Sequence, residues 1–110
     1  MLVEFELNGQ KFSALNGGPR FTFNEAVSIV VPCADQAEVD YYWSSLGDGG
    51  QEIACGWLKD KYGLCWQIVP AAFFDMMGDP DQDKVTRVMQ AMFTMTKFDI
   101  AALQKAYAGD

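Results

Sequence analysis

Residues 55–70, CGWLKDKYGLCWQIVP, decide the fold of this chain. Two runs rich in Trp, Leu, Ile and Val flank the segment Asp60–Gly63, and Pro70 ends the second run. Glycine at the end of a four-residue turn permits a left-handed backbone, and proline is tolerated where a strand ends. The pattern therefore predicts a β-hairpin in which Lys59 faces Leu64 across the turn.

This register divides the hairpin into two surfaces, because side chains of a strand alternate between its faces. One surface is expected to pack in the core, and its members are Cys55, Trp57, Leu64, Trp66 and Ile68. The other is expected to line a cavity, because it places the polar Gln67 opposite Gly56, which has no side chain. The predicted cavity face consists of Gly56, Leu58, Cys65, Gln67 and Val69.

Composition places the chain among ordinary globular domains. Its 110 residues are enough for one domain with one core. Of these residues, 50% are apolar and 21% are charged, which is an ordinary globular composition. The net charge of −7 argues against nucleic-acid binding and against docking on an anionic membrane, since both need clustered Lys and Arg. No apolar run approaches the roughly 20 residues that span a bilayer, and no signal peptide opens the chain, so a cytoplasmic location is expected.

The three cysteines, Cys33, Cys55 and Cys65, are odd in number and lie in apolar segments. They are interpreted as reduced, buried thiols, with a reactive or metal-binding thiol as the alternative. Cys55 and Cys65 would fall on opposite faces of the hairpin, which disfavours a disulfide between them. No CxxC pair supports a zinc site.

A second hairpin is predicted at the start of the chain. Leu2–Leu7 and Gln10–Leu15 flank Asn8-Gly9, a two-residue turn that pairs Phe5 with Phe12 and Glu4 with Ser13. One face is then apolar and expected in the core. The other is polar, and it either faces solvent or forms a pocket wall.

The remaining segments predict two strands and four helices. The strand covers Ala26–Val31, Asp35 caps a helix to Leu46, and another strand covers Gln51–Lys59. Helices follow at Ala71–Met77, after Asp79-Pro80, and at Ile100–Ala106. The methionine-rich tail is interpreted as packing against the sheet or another subunit, with promiscuous binding as the alternative.

The two hairpins also resemble each other. Aligned on Gly9 and Gly63, they bring Ser13 into register with Gln67. The segments FELNGQKFSALNGGP, DQAEVDYYWSSL and CGWLKDKYGLCWQIVP, followed by DPD and VMQAM, resemble the PhnB-like branch of the vicinal oxygen chelate superfamily. Its relatives include glyoxalases, bleomycin-resistance proteins and extradiol dioxygenases, and many members carry the label 3-demethylubiquinone-9 3-methyltransferase. No nucleotide-type glycine loop in this chain supports that activity.

The resemblance implies an α+β fold in which βαβββ modules curl a mixed sheet into a cup, followed by C-terminal helices. Within a single domain of residues 1–110, residues 2–15 would be a hairpin from a shortened first module. Residues 26–70 would be the second module and residues 71–108 a helical tail. Relatives commonly form dimers, and a shortened sheet leaves open edges, so a homodimer is expected.

The resemblance further implies a divalent metal held in the cup by His and Glu. In this chain Gln67 takes the place of the Glu, Ser28 lies near the expected His, and Ser13 holds the equivalent first-module position. Because the chain has no His and a neutral Gln binds metal poorly, neither a metal nor another cofactor is expected.

The favoured function is binding of an unknown small molecule in a metal-free cup completed by dimerisation. The candidate ligand-binding residues are Gln67, Ser13, Ser28, Glu4, Gly56, Leu58 and Cys65. The alternative is a divalent-metal-dependent lyase, isomerase or dioxygenase of the superfamily type. A metal-free acid–base enzyme using Glu4 or Glu6, and a purely structural dimer, also stay open, so the sequence leaves undecided whether the protein is an enzyme.

Overall fold

The computed structural model describes residues 1–110 and places them in two sheets and four helices. The strands are β1 Leu2–Leu7, β2 Gln10–Leu15, β3 Ser28–Cys33, β4 Gln51–Glu52, β5 Trp57–Lys59 and β6 Cys65–Pro70. The helices are α1 Gln36–Gly47, α2 Ala71–Met77, α3 Gln82–Phe93 and α4 Ile100–Ala108. The predicted α+β class with C-terminal helices is confirmed.

The larger sheet has the strand order β3-β6-β5-β4. Strand β3 pairs with β6 in parallel, and the other neighbours are antiparallel. The chain between β3 and β6 forms α1, which packs on one face of the sheet and supplies Val39 and Trp43 to the core. The Asp35 side chain accepts a hydrogen bond from the Glu38 amide at 2.9 Å, the predicted N-cap.

The turn of the central hairpin is one residue longer than predicted, and the register shifts with it. Lys59 pairs with Cys65, not Leu64, because the Leu64 amide donates to the Asp60 carboxylate at 3.0 Å and is held in the loop. Each β5 residue thus pairs with a β6 residue one position later than predicted, so it shares a face with the alternate set of β6 side chains. Leu58 therefore lies opposite Trp66, and Trp57 lies opposite Gln67.

The predicted strand over residues 51–59 is interrupted in its middle. Cys55 and Gly56 adopt positive φ angles of 55° and 82°, which no strand residue has. Their amides donate to the carbonyls of Met95 and Thr96 at 2.9 and 2.8 Å. The interruption thus ties the sheet to the connection between α3 and α4.

The core lies between α1, the sheet and the three C-terminal helices. Its members are Cys33, Val39, Trp43, Leu58, Ile68, Val69, Met76, Val88, Phe98 and Leu103. Met76 is buried there and Met77, Met92 and Met95 pack against it, which supports packing as the role of the methionine-rich tail. All three cysteines are free thiols, with Cys33 and Cys65 buried and Cys55 half-buried. None of the four helices combines the length and the apolarity that crossing a bilayer requires.

The first hairpin has its predicted register, with Phe5 opposite Phe12 and Glu4 opposite Ser13. It forms its own two-stranded sheet, however, and no strand pairing joins it to the larger sheet, as the expected single curled sheet would require. No residue between 16 and 27 is in a strand, so nothing continues the hydrogen-bonded ladder from β2 to β3. The apolar face, expected in the core, is consequently exposed at Val3, Phe5 and Leu7.

Candidate functional site

The candidate site lies on the face of the larger sheet opposite α1. Alternation along the strands separates this surface from the one that carries Leu58 and Trp66 against α1. We call it the Gln67 face, and its members are Ser28, Val30, Pro32, Trp57, Lys59, Cys65, Gln67 and Val69. Three strands contribute to it, so its groups are fixed by backbone hydrogen bonding.

Gln67 and Ser28 form a hydrogen-bonded pair at the centre of this face. The Gln67 Nε2 atom donates to the Ser28 Oγ atom at 2.8 Å, joining β6 to β3 through side chains. Both residues are half-buried. The Gln67 Oε1 atom accepts no hydrogen bond from the protein, and the Ser28 hydroxyl donates none. The pair therefore presents one acceptor and one donor to a small molecule.

The residues on either side of Gln67 are apolar. Trp57 pairs with Gln67 from β5, and Val30 pairs with it from β3, so the three side chains lie in one row across the sheet. Trp57 is half-buried and the Val30 side chain is 44% exposed. A polar amide between an indole and an aliphatic side chain can hold a planar group and orient it by hydrogen bonds.

An ion pair lies beside this row, which sequence reasoning missed. The Lys59 Nζ atom donates to a Glu25 carboxylate oxygen at 2.7 Å. This hydrogen bond lowers the pKa of Glu25 below its usual value and raises the pKa of Lys59. Because Glu25 belongs to the irregular segment before β3, no periodic pattern could have placed it against Lys59.

Four of the five predicted cavity residues are packed within the protein, and one of them, Val69, is 5% exposed and belongs to the core. Leu58 is 0% exposed and lies in the core, because the register shift turns it toward α1, so its expected place beside Gln67 is wrong. Gly56 lies against the Phe98 ring, where an added Cβ would approach Phe98 Cε2 to 2.3 Å. Cys65 shares the face with Gln67 but is fully buried. The side chains of Leu58, Cys65 and Val69 are therefore closed to a ligand, and Gly56 has none to offer.

Glu4 and Ser13 lie apart from the Gln67 and Ser28 pair. They face each other across the first hairpin and line a shallow surface depression with Glu6 and Lys11. No hydrogen bond connects them to the larger sheet. Of the seven predicted ligand residues, Gln67 and Ser28 are the two that lie together on the larger sheet and remain partly open to solvent.

The side chains at this site do not fit the divalent metal that the superfamily resemblance implies. Ser28 and Gln67 are neutral, and the Gln67 amide nitrogen is already engaged with the Ser28 oxygen. The structure contains no group of three or more His, Cys, Asp or Glu side chains able to hold a metal ion. Divalent metals in such cups need imidazole or carboxylate ligands. We therefore derive no step through a metal.

A groove of about 720 Å³ runs along the outer edge of β3, between α1 and the first hairpin. We call it the β3 groove. Its walls are mostly apolar and include Leu7, Phe12, Val30, Val31, Tyr42 and Leu46. Glu38 supplies a carboxylate at its rim.

The mixed sheet with α1 on one face, followed by C-terminal helices, is glyoxalase-like, as comparison with a solved PhnB structure shows. The chain belongs to the 3-demethylubiquinone-9 3-methyltransferase family of PhnB type, whose sequence model matches residues 1–69. It is also similar in structure to a PhnB protein from Bacillus cereus that carries the same family name, with 32% identity and a TM-score of 0.60. That match covers 64% of this chain and 64% of the Bacillus protein, so it spans less than two thirds of the relative. None of the curated proteins compared with the chain matches it.

Proposed function

We propose that this protein binds a small organic molecule, without a metal, on the Gln67 face, and that a homodimer completes the site. The observation that carries the proposal is the Gln67–Ser28 pair at 2.8 Å, flanked by Trp57 and Val30. The pair leaves the Gln67 carbonyl oxygen as an acceptor and the Ser28 hydroxyl as a donor for a ligand. The protein's three free thiols agree with a reducing compartment, and we predict the cytoplasm.

The chemistry of the site favours an uncharged ligand group. The row of Trp57, Gln67 and Val30 carries no formal charge, and Lys59, the cation on the same face, is paired with Glu25. A carbonyl next to an N–H or O–H group would match the Ser28 donor and the Gln67 acceptor together. Flat molecules of this kind would also stack on the indole of Trp57.

A homodimer is supported by the apolar surface that the first hairpin leaves uncovered. Val3, Phe5 and Leu7 share one exposed face, and contiguous apolar surface of this kind marks an interaction site. Sedimentation velocity at micromolar concentration tests this part. A single species with the mass of one chain would contradict it.

Ligand binding is tested by thermal shift across a panel of small metabolites, followed by calorimetry on compounds that raise the melting temperature. We expect Gln67→Leu to abolish the shift, because the substitution keeps the side-chain volume and removes both polar atoms. Gln90→Leu, on the exposed side of α3, is the matched control and should keep the shift. A panel without any shift in the wild type would count against the proposal.

We do not propose the metal-dependent lyase, isomerase or dioxygenase reaction, because Ser28 and Gln67 are poor ligands for a divalent metal and no cluster of His, Cys, Asp or Glu stands in for them. Elemental analysis of the purified protein decides the point independently. Near-stoichiometric Ni, Zn, Mn or Fe would overturn the metal-free site. The methyltransferase activity in the family name is likewise not proposed, since the chain lacks a glycine-rich nucleotide loop.

A further inference from the structure

We propose that the β3 groove is a second binding site of this chain and that it takes an amphiphilic organic cation, with an apolar tail against β3 and α1 and an ammonium group beside Glu38. The groove and the Gln67 face share only Val30 and Pro32, both on β3. The inference therefore goes beyond the proposed function and can fail separately from it.

The groove has the size and the lining of a ligand site. Its volume of about 720 Å³ lies within the range of pockets that hold small organic molecules. Eight of its twelve lining residues are hydrophobic. Helix α1 contributes Tyr42 and Leu46, and the first hairpin contributes Leu7 and Phe12 on the other side of β3. Three elements of one chain thus build the groove, and no second chain is needed to form it.

A further strand is a poor occupant of this groove. Pro32 lies within β3 and has no N–H group to donate to a neighbouring strand. The first hairpin also lies beside β3 already, with Leu7 and Phe12 in the groove. The space between them suits a flexible molecule that is smaller than a strand, such as an alkyl or aryl chain.

The charge in the groove is negative. Glu38 is its one charged lining residue, and the lining includes no Lys or Arg. Neither of the two ion pairs of the chain includes Glu38. Its Oε1 atom accepts a long hydrogen bond from the Ala34 amide, at 3.4 Å, and its Oε2 atom is free. Because Glu38 is half-buried, a cation brought beside its carboxylate is attracted more strongly than it would be in bulk water.

Aromatic rings in the same groove favour an organic cation. Phe12, Tyr42 and Trp66 all contribute to its lining. Trp66 is held by the hydrogen bond from its indole nitrogen to Asp60 at 2.9 Å, and Phe12 stacks on Phe5 with ring centroids 5.5 Å apart. The faces of such rings attract cations, and quaternary ammonium groups are recognised in this way. The rings and the carboxylate together define an alkyl or aryl ammonium ion as the ligand class.

Three probes of equal chain length test the charge preference. Octyltrimethylammonium, octanesulfonate and 1-octanol are titrated into the protein, and calorimetry gives each Kd. A salt concentration of about 0.15 M limits the contribution of remote charges, because the Debye length is then about 8 Å. We expect the cation to bind at least about tenfold more tightly than the sulfonate, since Glu38 attracts one and repels the other. A cation that binds no more tightly than the sulfonate or octanol, or not at all below its micelle concentration, would overturn the inference.

Glu38→Gln assigns the preference to the groove. The substitution removes the charge and keeps a side-chain oxygen for the Ala34 amide. We expect the ratio of the sulfonate Kd to the cation Kd to fall to about twofold or less. Asp83→Asn, at the exposed start of α3, changes the net charge by the same amount and should keep the tenfold ratio. Loss of the ratio in both variants, or in neither, overturns the role of Glu38.

Methyl NMR of the wild type locates the cation without any substitution, so the test does not depend on whether Glu38→Gln folds. The methyl signals of Ile29 and Leu46, in the groove, should shift with the Kd that calorimetry gives. Those of Ile100 and Leu103, on α4, should not. Shifts confined to residues outside the groove would overturn the site.

The outcomes separate this site from the proposed function. Gln67→Leu should leave the Kd of octyltrimethylammonium unchanged, and loss of cation binding in that variant would contradict a separate site. A metabolite that binds the Gln67 face should keep its thermal shift in Glu38→Gln. A protein that binds the cation with these methyl shifts, but responds to no metabolite, supports the groove and contradicts ligand binding on the Gln67 face.

Discussion

The Trp66 indole nitrogen donates a hydrogen bond to the Asp60 Oδ2 atom at 2.9 Å, across the turn of the central hairpin. The other carboxylate oxygen, Oδ1, accepts from the amides of Tyr62 and Leu64 at 2.9 and 3.0 Å. One carboxylate thus accepts hydrogen bonds from two amides of the loop and from a side chain at the start of β6. It is the reason that Gln67, and not Trp66, lies opposite Trp57.

Asp60→Ala should therefore destabilise the protein more than an ordinary surface substitution. Three donors lose their acceptor, and the expected decrease in the free energy of unfolding is about 2–3 kcal/mol. Urea denaturation followed by tryptophan fluorescence measures it. Asp48→Ala is the matched control, because Asp48 is exposed just after α1 and its side chain makes no hydrogen bond. Equal effects of the two substitutions would refute the role given to Asp60.

Gly56→Ala should be among the most damaging single-methyl additions in the chain. The added Cβ would lie 2.3 Å from Phe98 Cε2 and 3.0 Å from the Ile68 carbonyl oxygen, at a φ of +82°. Overpacking and backbone strain together should decrease the free energy of unfolding by about 3 kcal/mol or more. Thermal and urea denaturation give the value.

Gly18→Ala isolates the backbone part of that cost. Gly18 also has a positive φ, +87°, but a Cβ there would meet no atom within 4 Å. Its expected cost is about 1 kcal/mol. If Gly18→Ala and Gly56→Ala proved equally costly, the close approach of Phe98 would not be what requires glycine at position 56.

Much of the fold could be predicted from the sequence, because local signals dominate in the segments concerned. Asn8-Gly9 sets a two-residue turn and hence the whole register of the first hairpin. Asp35 and the apolar stripe behind it set α1. In both segments, residues close in sequence carry the information.

The errors arose where distant contacts decide the backbone. The interruption at Cys55 and Gly56 is made by hydrogen bonds to carbonyls 40 residues later, at Met95 and Thr96, which no local pattern reveals. The turn after Lys59 looked complete with four residues, and only the Asp60 carboxylate extends it to Leu64. At the site, Ser28 and Gln67 could be paired through the family resemblance, whereas Glu25 against Lys59 could not.

The three thiols should differ in reactivity toward a maleimide or an aromatic disulfide at pH 8. Burial, and then the charges of Glu38 and Asp35, raise the pKa of Cys33 to about 11, so about one molecule in a thousand is ionised there. Cys65 is shielded by complete burial, whereas Cys55 is half-buried. We expect one thiol to react quickly in the native protein and three after denaturation. Mass spectrometry of the labelled peptides should locate the fast thiol at Cys55. Rapid labelling of Cys33 in the folded protein would contradict the packing around β3.

The hydrogen bond from the Tyr107 hydroxyl to the Asp79 carboxylate should make stability depend on pH at both extremes. It lowers the pKa of Asp79, so that contribution is present above the unfolded value of about 3.8 and is lost as pH falls through the folded pKa. The same bond raises the pKa of Tyr107, so that contribution is present below about pH 10 and is lost as pH rises through the folded pKa. Tyr107→Phe should remove both dependences and return the pKa of Asp79 toward its ordinary value in a carbon-detected NMR titration. Tyr41→Phe, which removes an exposed hydroxyl without a hydrogen bond, should leave the Asp79 titration unchanged. If Asp79 titrates identically in wild type and Tyr107→Phe, the bond that joins the start of α3 to the end of α4 does not persist in solution.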